Sequence, residues 1–240
     1  VYKRQPGASP GEPDKYYPTG ARTFARVVPN DAVQSQVEVD LEQSRGCRQT
    51  SVLHDGEVDG SSEAITFALT AQSRGLSVVA VQAFSPGALN YDALASGVAE
   101  TGVDCVLISA IDGPSAARLA RALATDLPNA TIFATSSLAQ ASFTDPAHRG
   151  VSPALDSRVF VVAPALSAAY YPPAGRAMLS AYANRFRPPD PQAIFGYAAM
   201  TLMLEAVRQA TSAGRKPARR SQVLAQVFAR RPHESVLGPY

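Results

Sequence analysis

Short apolar runs alternate with segments of helical periodicity over residues 23–165. The runs predict six strands, at Thr23–Val28, Thr50–His54, Leu76–Val81, Val103–Ala110, Ala130–Ala134 and Val159–Ala163. Helices are predicted between the strands, and the first carries Val33, Val37 and Leu41 on one face. Asp31 is its expected N-cap. Nearly continuous apolar strands are typical of parallel sheets buried on both faces, so the pattern predicts an open, doubly wound α/β lobe.

The pattern changes after Pro164, where three helices follow one another without a strand between them. They are predicted at Pro173–Arg187, Pro191–Thr211 and Arg219–Arg230. The second helix carries a strong apolar stripe, formed by Ile194, Tyr197, Ala198, Thr201, Leu202 and Leu204. Nothing obvious in this chain is left to cover that stripe. Residues 1–22 are rich in proline and glycine and are predicted to be a linker or lead-in.

The composition excludes several classes of protein. The 240 residues include 22 Lys or Arg and 20 Asp or Glu, and a net charge of +2 does not mark a dedicated nucleic-acid-binding protein. The hydrophobic content of 46% argues against a disordered chain, and two cysteines cannot form a four-cysteine zinc site. The longest charge-free apolar stretch, Ala193–Leu204, is shorter than the roughly 20 residues that span a bilayer. Residues 1–22 lack the apolar core of a signal peptide, so the compartment stays open at this point.

Seven short motifs follow one another in a characteristic order along the chain. The motifs are FARVVPND (Phe24–Asp31), VLHDGEVDG (Val52–Gly60), NYDAL (Asn90–Leu94), GVDCVLIS (Gly102–Ser109), TIFATSS (Thr131–Ser137), FGYAA (Phe195–Ala199) and VLGP (Val236–Pro239). Together they resemble the type I periplasmic binding proteins of branched-chain amino-acid ABC transporters, in the leucine/isoleucine/valine-binding branch. The resemblance covers about residues 16–240.

The resemblance implies two α/β lobes that close on a small ligand by a hinge motion. Residues 23–165 would form the second lobe, residues 166–234 would be helices returning to a first lobe, and residues 235–240 would begin the last hinge crossing. The chain would then be truncated at both ends and would bind its ligand weakly or not at all. The uncovered apolar stripe of the second helix fits this interpretation.

The function implied is that of a substrate-binding component of an ABC transporter, not an enzyme. It would bind an amino acid or a related small polar solute and deliver it to permease subunits in the periplasm or outside the cell. The resemblance implies no direct membrane span and leaves open a lipid anchor on the full-length protein. No cofactor, metal or nucleic-acid partner is implied. The alternative is a ligand-sensing regulatory domain of a receptor or LacI-like regulator with the same fold, and a small α/β enzyme ranks third.

Ligands of open α/β sheets bind beyond the carboxyl ends of the strands, which directs attention to residues 55–61, 84–90, 109–115 and 134–138. In the first of these loops, Asp59 stands where the resemblance implies a ligand-facing tyrosine. A carboxylate there pairs with an ammonium or hydroxyl group instead of stacking on an aliphatic side chain. The backbone N–H groups of Ser61 and Ser62, at a predicted helix start, offer a site for an anion, with simple capping of the helix as the alternative.

Two further loops carry candidate ligand-binding residues. Asp112 is a second carboxylate at the same sheet edge, with a capping contact to Ser115 as its competing role. Ser136 and Ser137 offer hydroxyl groups where, by resemblance, amino-acid-binding relatives often have an acid for the ammonium group. Asp59 or Asp112 is expected to take over that role.

Other chemistry finds less support in the sequence. His54 and Asp55, with Ser51 or Ser61, suggest a hydrolase, but consecutive strand residues point to opposite faces and no G-x-S-x-G motif is present. His148 and His233 have no partner at metal-ligand spacing, so the sequence supports no metal site there. A cluster of basic residues could suggest nucleic-acid binding, but it has no interleaved aromatic residues and is interpreted as a solvated face. The cluster comprises Arg215, Lys216, Arg219, Arg220, Arg230 and Arg231.

The two cysteines are expected near the same edge of the sheet. Cys47 precedes the strand at Thr50–His54 and Cys105 begins the strand at Val103–Ala110, and these two strands are neighbours in a doubly wound lobe. A disulfide is compatible with an exported protein. Cys47 lies outside its strand, however, and two unlinked thiols are an equally good interpretation of the sequence.

Overall fold

The computed structural model describes residues 19–21, 23–186, 188–229 and 233–239. These residues form two compact units, one from Asn30 to Pro164 and one that joins the residues up to Pro29 with those from Ala165 onward. The predicted linker at residues 1–22 lies almost entirely outside the described residues. The assignment of the two units to lobes of a larger protein stays a prediction.

The first unit is a five-stranded parallel sheet with helices between consecutive strands. Its elements are α1 (Asp31–Ser44), β1 (Gln49–His54), α2 (Val58–Ser73), β2 (Ser77–Ala83), α3 (Asp92–Glu100), β3 (Cys105–Ser109), α4 (Gly113–Asp126), β4 (Thr131–Ala134), α5 (Ala141–Thr144) and β5 (Val159–Val161). The strand order is β2-β1-β3-β4-β5, and every neighbouring pair is parallel. The predicted doubly wound α/β fold is confirmed.

The central strands β1, β3 and β4 are covered on both faces, to which their successive side chains point alternately, whereas the edge strand β2 exposes Val79 and Val81. On one face, Leu53 and Ile108 pack in a cluster with Leu119 and Leu123 of α4. On the other face, strand side chains pack against α1 and α2, and this cluster contains Val39, Val52, Phe67, Leu107 and Phe133. The two clusters explain why apolar residues follow one another directly, as at Val52–Leu53 in β1 and Val106–Ile108 in β3, rather than alternating with polar ones.

The structure corrects the predicted start of the first helix and the strand before it. Asn30, not Asp31, is the N-cap of α1, and its side-chain oxygen accepts a hydrogen bond from the Val33 N–H at 2.9 Å. Thr23–Val28 was predicted to be a strand, but it has no strand conformation among the described residues. A strand needs a neighbour for its backbone hydrogen bonds, and no described strand pairs with this segment.

The faces of α1 and α2 differ from those that their apolar residues suggest. Val33 and Val37 of α1 are 47% and 51% exposed, whereas Glu38 and Glu42 are buried. In α2, Ile65 and Leu69 are 54% and 58% exposed, and Glu63 is buried. A search for apolar stripes misses these faces because carboxyl groups rarely lie in a core. The buried faces of both helices therefore include acidic side chains.

The second unit contains the predicted helices with shorter bounds. Its elements are α6 (Pro173–Arg185), α7 (Ala193–Ala210), α8 (Arg220–Val227) and an antiparallel pair, β6 (Glu234–Ser235) with β7 (Gly238–Pro239). Tyr171, Ile194, Ala198 and Val236 form its small core. This hairpin does not test the prediction that residues 235–240 begin a hinge crossing.

The apolar stripe of α7 is only partly buried. Ile194 and Ala198 face the core of the second unit. Tyr197 and Leu204 of the same stripe are 49% and 61% exposed. No helix among the described residues is long and apolar enough to span a membrane.

A disulfide joins Cys47 to Cys105, with 5.8 Å between the two Cα atoms. It links the segment between α1 and β1 to the first residue of β3. Both sulfur-bearing side chains are buried in the cluster beneath α1 and α2. The structure thus decides the question that the sequence left open, because the turn after α1 brings Cys47 within bridging distance although it lies outside the strand.

Candidate functional site

The carboxyl ends of β1, β3 and β4 lie side by side at one edge of the sheet. His54 at the end of β1 is in register with Ser109 at the end of β3, and Ile108 is in register with Ala134 of β4. The segments that follow these strands, including the first turn of α2, contain all five candidate ligand-binding residues named from the sequence. The topology therefore gathers them at the edge where open α/β sheets bind ligands.

Asp55 holds the loop after β1 against the loop after β3. Its carboxylate is buried and accepts hydrogen bonds from the Ile111 N–H at 2.7 Å and the Glu57 N–H at 3.1 Å. Gly60 lies close by, and the Ser109 hydroxyl donates to its carbonyl at 2.9 Å. A Cβ atom on Gly60 would lie 2.4 Å from an Asp55 carboxylate oxygen, so only glycine fits. These contacts give the first turn of α2 a defined position.

Asp59, in the first turn of α2, is in direct contact with Ser137, which follows β4. The Ser137 hydroxyl donates to Asp59 Oδ2 at 2.8 Å, and both residues are half-buried. Ser136 precedes this serine and is buried at the start of a short 3₁₀ turn, Ser136–Leu138. A partly exposed carboxylate and a hydroxyl group thus stand together at the sheet edge, 78 residues apart in the chain.

Ser61 does not have the role predicted for it. The sequence placed Ser61 and Ser62 at the start of a helix, but α2 begins at Val58. The Ser61 N–H donates to the Glu57 carbonyl at 2.8 Å, and its hydroxyl donates to the same carbonyl at 2.7 Å. Because both groups are used within the first turn of α2, the expected anion site at the Ser61 N–H is wrong.

Asp112 is held by the serine that the sequence proposed as its capping partner. The Ser115 hydroxyl donates to Asp112 Oδ2 at 2.6 Å. The Ser115 oxygen in turn accepts from the Gly87 N–H at 2.9 Å and from an Arg118 Nη at 3.0 Å. Asp112 therefore takes part in the structure that joins the loops after β2 and β3, whereas Asp59 and Ser137 form a separate contact.

His54 and Ser61 come closer than consecutive strand residues suggested, but they do not form a catalytic triad. The Ser61 Oγ and His54 Nδ1 atoms are 3.2 Å apart. His54 Nδ1 accepts the Gly56 N–H at 3.2 Å, which places the ring proton on Nε2. The carboxylate of Asp55 is engaged by backbone N–H groups of Glu57 and Ile111 and does not orient the imidazole.

A family model described as periplasmic binding protein matches residues 8–240. The chain belongs to the periplasmic binding protein family. No curated protein matches the chain by sequence. Its family and structural neighbours are solute-binding proteins rather than enzymes.

Three solved structures of periplasmic binding proteins show the likeness in fold. The leucine-binding protein LivK from Thermotoga maritima has a TM-score of 0.74 and 17% identity, covering 92% of this chain and 61% of that chain. A fatty acid ABC transporter substrate-binding protein from Thermomonospora curvata has a TM-score of 0.70 and 21% identity, covering 88% and 55%. A solute-binding protein from R. palustris in complex with benzoate has a TM-score of 0.69 and 16% identity, covering 88% and 56%.

These comparisons establish the type I periplasmic binding protein fold and the family. The chain spans about three fifths of the length of the structures that it matches. At these low identities the likeness carries no information about the ligand. The solute and the partners of this periplasmic binding protein are therefore proposals, which the geometry of its own residues has to support.

Gln140 is a site residue that the sequence did not reveal. Its amide nitrogen donates to the Ile111 carbonyl at 2.9 Å and to the Ser137 carbonyl at 3.0 Å, so it joins the loops after β3 and β4. A glutamine in an irregular segment carries no pattern that predicts such a bridge. Only the arrangement of the two loops shows that it orients the backbone beside Ser137.

The candidate edge of this periplasmic binding protein is acidic. The four loop segments 55–61, 84–90, 109–115 and 134–138 contain no Lys or Arg. They do contain four carboxyl side chains, namely Asp55, Glu57, Asp59 and Asp112. A cluster of one sign of charge attracts ligands of the opposite sign. The side chains of these four segments therefore give the edge a net negative charge.

Proposed function

We propose that this chain supplies the ligand-contacting edge of one lobe of an ABC-transporter solute-binding protein, and that Asp59 and Ser137 contact the solute. The observation that carries the proposal is the half-buried Asp59–Ser137 pair at the carboxyl edge of the parallel sheet. Membership of the periplasmic binding protein family supports solute binding. The rule that α/β sheets bind ligands at this edge supports the location.

The solute that fits this edge carries an ammonium group or several hydroxyl groups. A carboxylate accepts strong, charge-assisted hydrogen bonds from an ammonium group, and a serine hydroxyl both donates and accepts. The neighbours are described as proteins for leucine, a fatty acid or benzoate. The carboxylate of a fatty acid or of benzoate would meet like charge at Asp59. An amino acid or a related small polar solute, held by its ammonium group, is the better match.

Ser136 and Asp112 are proposed to have supporting roles. Ser136 lies buried next to Ser137 and fixes the turn that presents its hydroxyl group. Asp112 organises the loop after β3 through Ser115 and adds negative charge at the edge. Ser61 stays in the first turn of α2, where it packs beside His54.

The same proposal places the protein in the periplasm or outside the cell, where it delivers its solute to ABC permease subunits. The Cys47–Cys105 disulfide supports this location, because disulfides persist in oxidising compartments. A lipid anchor on the full-length protein stays a prediction. The exposed apolar residues of α7, among them Tyr197 and Leu204, are proposed to pack on a first lobe like that of the longer related structures.

The test is a titration of the isotope-labelled chain by NMR, which detects weak binding as well as strong binding. The probes are leucine, lysine, sorbitol and benzoate. The proposal expects the amides around Asp59 and Ser137 to shift with the amino acids, and it expects benzoate to have no effect there. Asp59→Asn and Ser137→Ala should each weaken the affinity for the amino acids about tenfold or more, as expected for a hydrogen bond to a charged group.

A matched control exists at the amino edge of the sheet. There the Ser96 hydroxyl donates to the Asp126 carboxylate at 2.7 Å, a pair of the same chemistry on α3 and α4. Asp126→Asn and Ser96→Ala should leave binding unchanged. Binding that survives Asp59→Asn, or a preference for benzoate at this edge, would refute the assignment of Asp59.

A further inference from the structure

Three buried glutamates lie together between α1, α2 and the sheet, and we name Glu38, Glu42 and Glu63 the buried carboxyl layer. Glu38 and Glu42 are 0% exposed and Glu63 is 4% exposed. They have no ion pair with a basic side chain within the described part of the chain. Buried carboxylates without a cation are strongly disfavoured, and such groups keep a proton instead.

The contacts of the layer are made by neutral polar groups. The Gln34 amide donates to Glu38 at 2.8 Å and also to Glu63, so it connects α1 with α2. The Ser109 hydroxyl of β3 lies 3.5 Å from Glu63 Oε2. One oxygen of Glu38 has no hydrogen-bond partner in the part of the chain that the structure describes, and the polar neighbour of Glu42 is the Thr50 hydroxyl. A layer of this kind tolerates protonated carboxyl groups but leaves a negative charge uncompensated.

The charged groups that act on the layer from the surrounding elements are themselves acidic. Asp31 at the start of α1 acts on Glu38 and Glu63, and Asp59 at the start of α2 acts on Glu63. Asp104, just before β3, acts on Glu42. Each of these negative charges makes a further ionisation in the layer less favourable.

The direction of the pKa shifts agrees with this geometry. Burial raises the pKa of Glu38 to about 7 and that of Glu42 to about 8, from an ordinary value of 4.5. Burial also raises the pKa of Glu63 well above its ordinary value, and the charges of Glu38, Asp31 and Asp59 raise it further. The folded protein therefore holds protons that the unfolded chain has already released above about pH 4.5.

We propose that the buried carboxyl layer is a pH-sensitive contact. It holds α1 against α2 and the sheet while its glutamates are protonated, and alkaline pH weakens it. Because the folded state binds more protons than the unfolded chain, folding is favoured at mildly acidic pH. The stability is lost progressively as the pH rises from the ordinary glutamate value through the raised values of the layer. Since Asp59 lies on the first turn of α2, the same change reaches the candidate ligand site.

The test is urea unfolding of the whole chain at several pH values. Each glutamate that keeps its proton in the folded state should raise the unfolding constant about tenfold per pH unit between roughly pH 5 and 7. Glu38→Gln and Glu42→Gln keep the shape of the side chain but cannot titrate. The slope of the logarithm of the unfolding constant against pH should therefore be smaller by about two in the double variant. Glu100→Gln, at an exposed position on α3, is the control and should keep the wild-type slope.

A second measurement needs no variant. Infrared spectra of the native chain at about pH 6 should show the carbonyl band of buried, protonated carboxylic acids, which should fade above about pH 8 as these groups ionise. Amide hydrogen exchange in α1 should increase over the same range after correction for intrinsic rates. A native state whose stability is flat or rises between about pH 5 and 8 would overturn the proposal. So would glutamine variants that shift stability equally at every pH.

Discussion

The Cys47–Cys105 disulfide leads to a prediction whose magnitude follows from the structure. The bond joins residues 58 positions apart and ties the turn after α1 to the start of β3. Replacing both cysteines with alanine removes this cross-link and leaves two small buried side chains in its place. The substitution acts mainly on the unfolded chain, which regains the conformational freedom that the cross-link had removed.

The expected loss can be worked from the length of the closed loop. For a loop of this length, the chain-entropy relation gives about 4 kcal/mol at 25 °C. The lost contacts of the two sulfur atoms in the cluster with Val39 and Leu107 add to that figure. Domains have a total stability of about 5–15 kcal/mol, so the double variant should be close to unfolding at physiological temperature.

The assay is equilibrium unfolding in urea at about pH 6, below the raised pKa values of Glu38 and Glu42. The free energy of unfolding of the wild type should fall by about 4 kcal/mol when reductant is added. Cys47→Ala/Cys105→Ala should start below this value, because it also lacks the sulfur contacts, and should not respond to reductant. A wild type that responds by less than about 1 kcal/mol would refute the reasoning. So would two titratable thiols in the denatured, unreduced protein.

Two further predictions concern single side chains, and both are checked by urea unfolding. Gly60→Ala should destabilise the first unit by about 1–3 kcal/mol, because its Cβ would meet the Asp55 carboxylate, whereas Gly97→Ala on α3 has open space and should stabilise by up to about 1 kcal/mol. Equal effects of the two substitutions would contradict the proposed crowding. Arg158→Met should cost about 2 kcal/mol, because the guanidinium donates to the carbonyls of the segment that ends α4, and Arg158→Lys should recover part of that loss. A methionine variant as stable as the wild type would show that these hydrogen bonds do not stabilise α4.

The parallel sheet could be predicted because it depends on local patterns. Apolar runs such as Val103–Ala110 are buried whichever helix covers them, and their alternation with helices leaves few topologies. Once the sheet is parallel, its carboxyl edge collects the loops that contain Asp59, Asp112 and Ser137. The family resemblance, carried by the order of motifs, was confirmed by the family match.

The details of the site depended on contacts between distant segments. The helix start at Val58, rather than at Ser61, removed the expected anion site, because a boundary shift of three residues changes which N–H groups stay unpaired. The Asp59–Ser137 hydrogen bond and the Gln140 bridge join segments with no local signal for each other. Which of these residues touch the solute stays a prediction.

Hydrophobic periodicity thus determined the fold class and, through it, that β1 and β3 are neighbours and which sheet edge contains the candidate site, because the apolar runs and their alternation with helices are written locally in the chain. The tertiary structure decided the rest. It turned the acidic faces of α1 and α2 inward, where Glu38, Glu42 and Glu63 share a buried layer, and it brought Cys47 within reach of Cys105. The physical reason is that a buried carboxyl group without a cation or N–H donors such as those around Asp55 is accepted in a core only when its neighbours let it keep a proton. Those neighbours come from three separate elements of the chain.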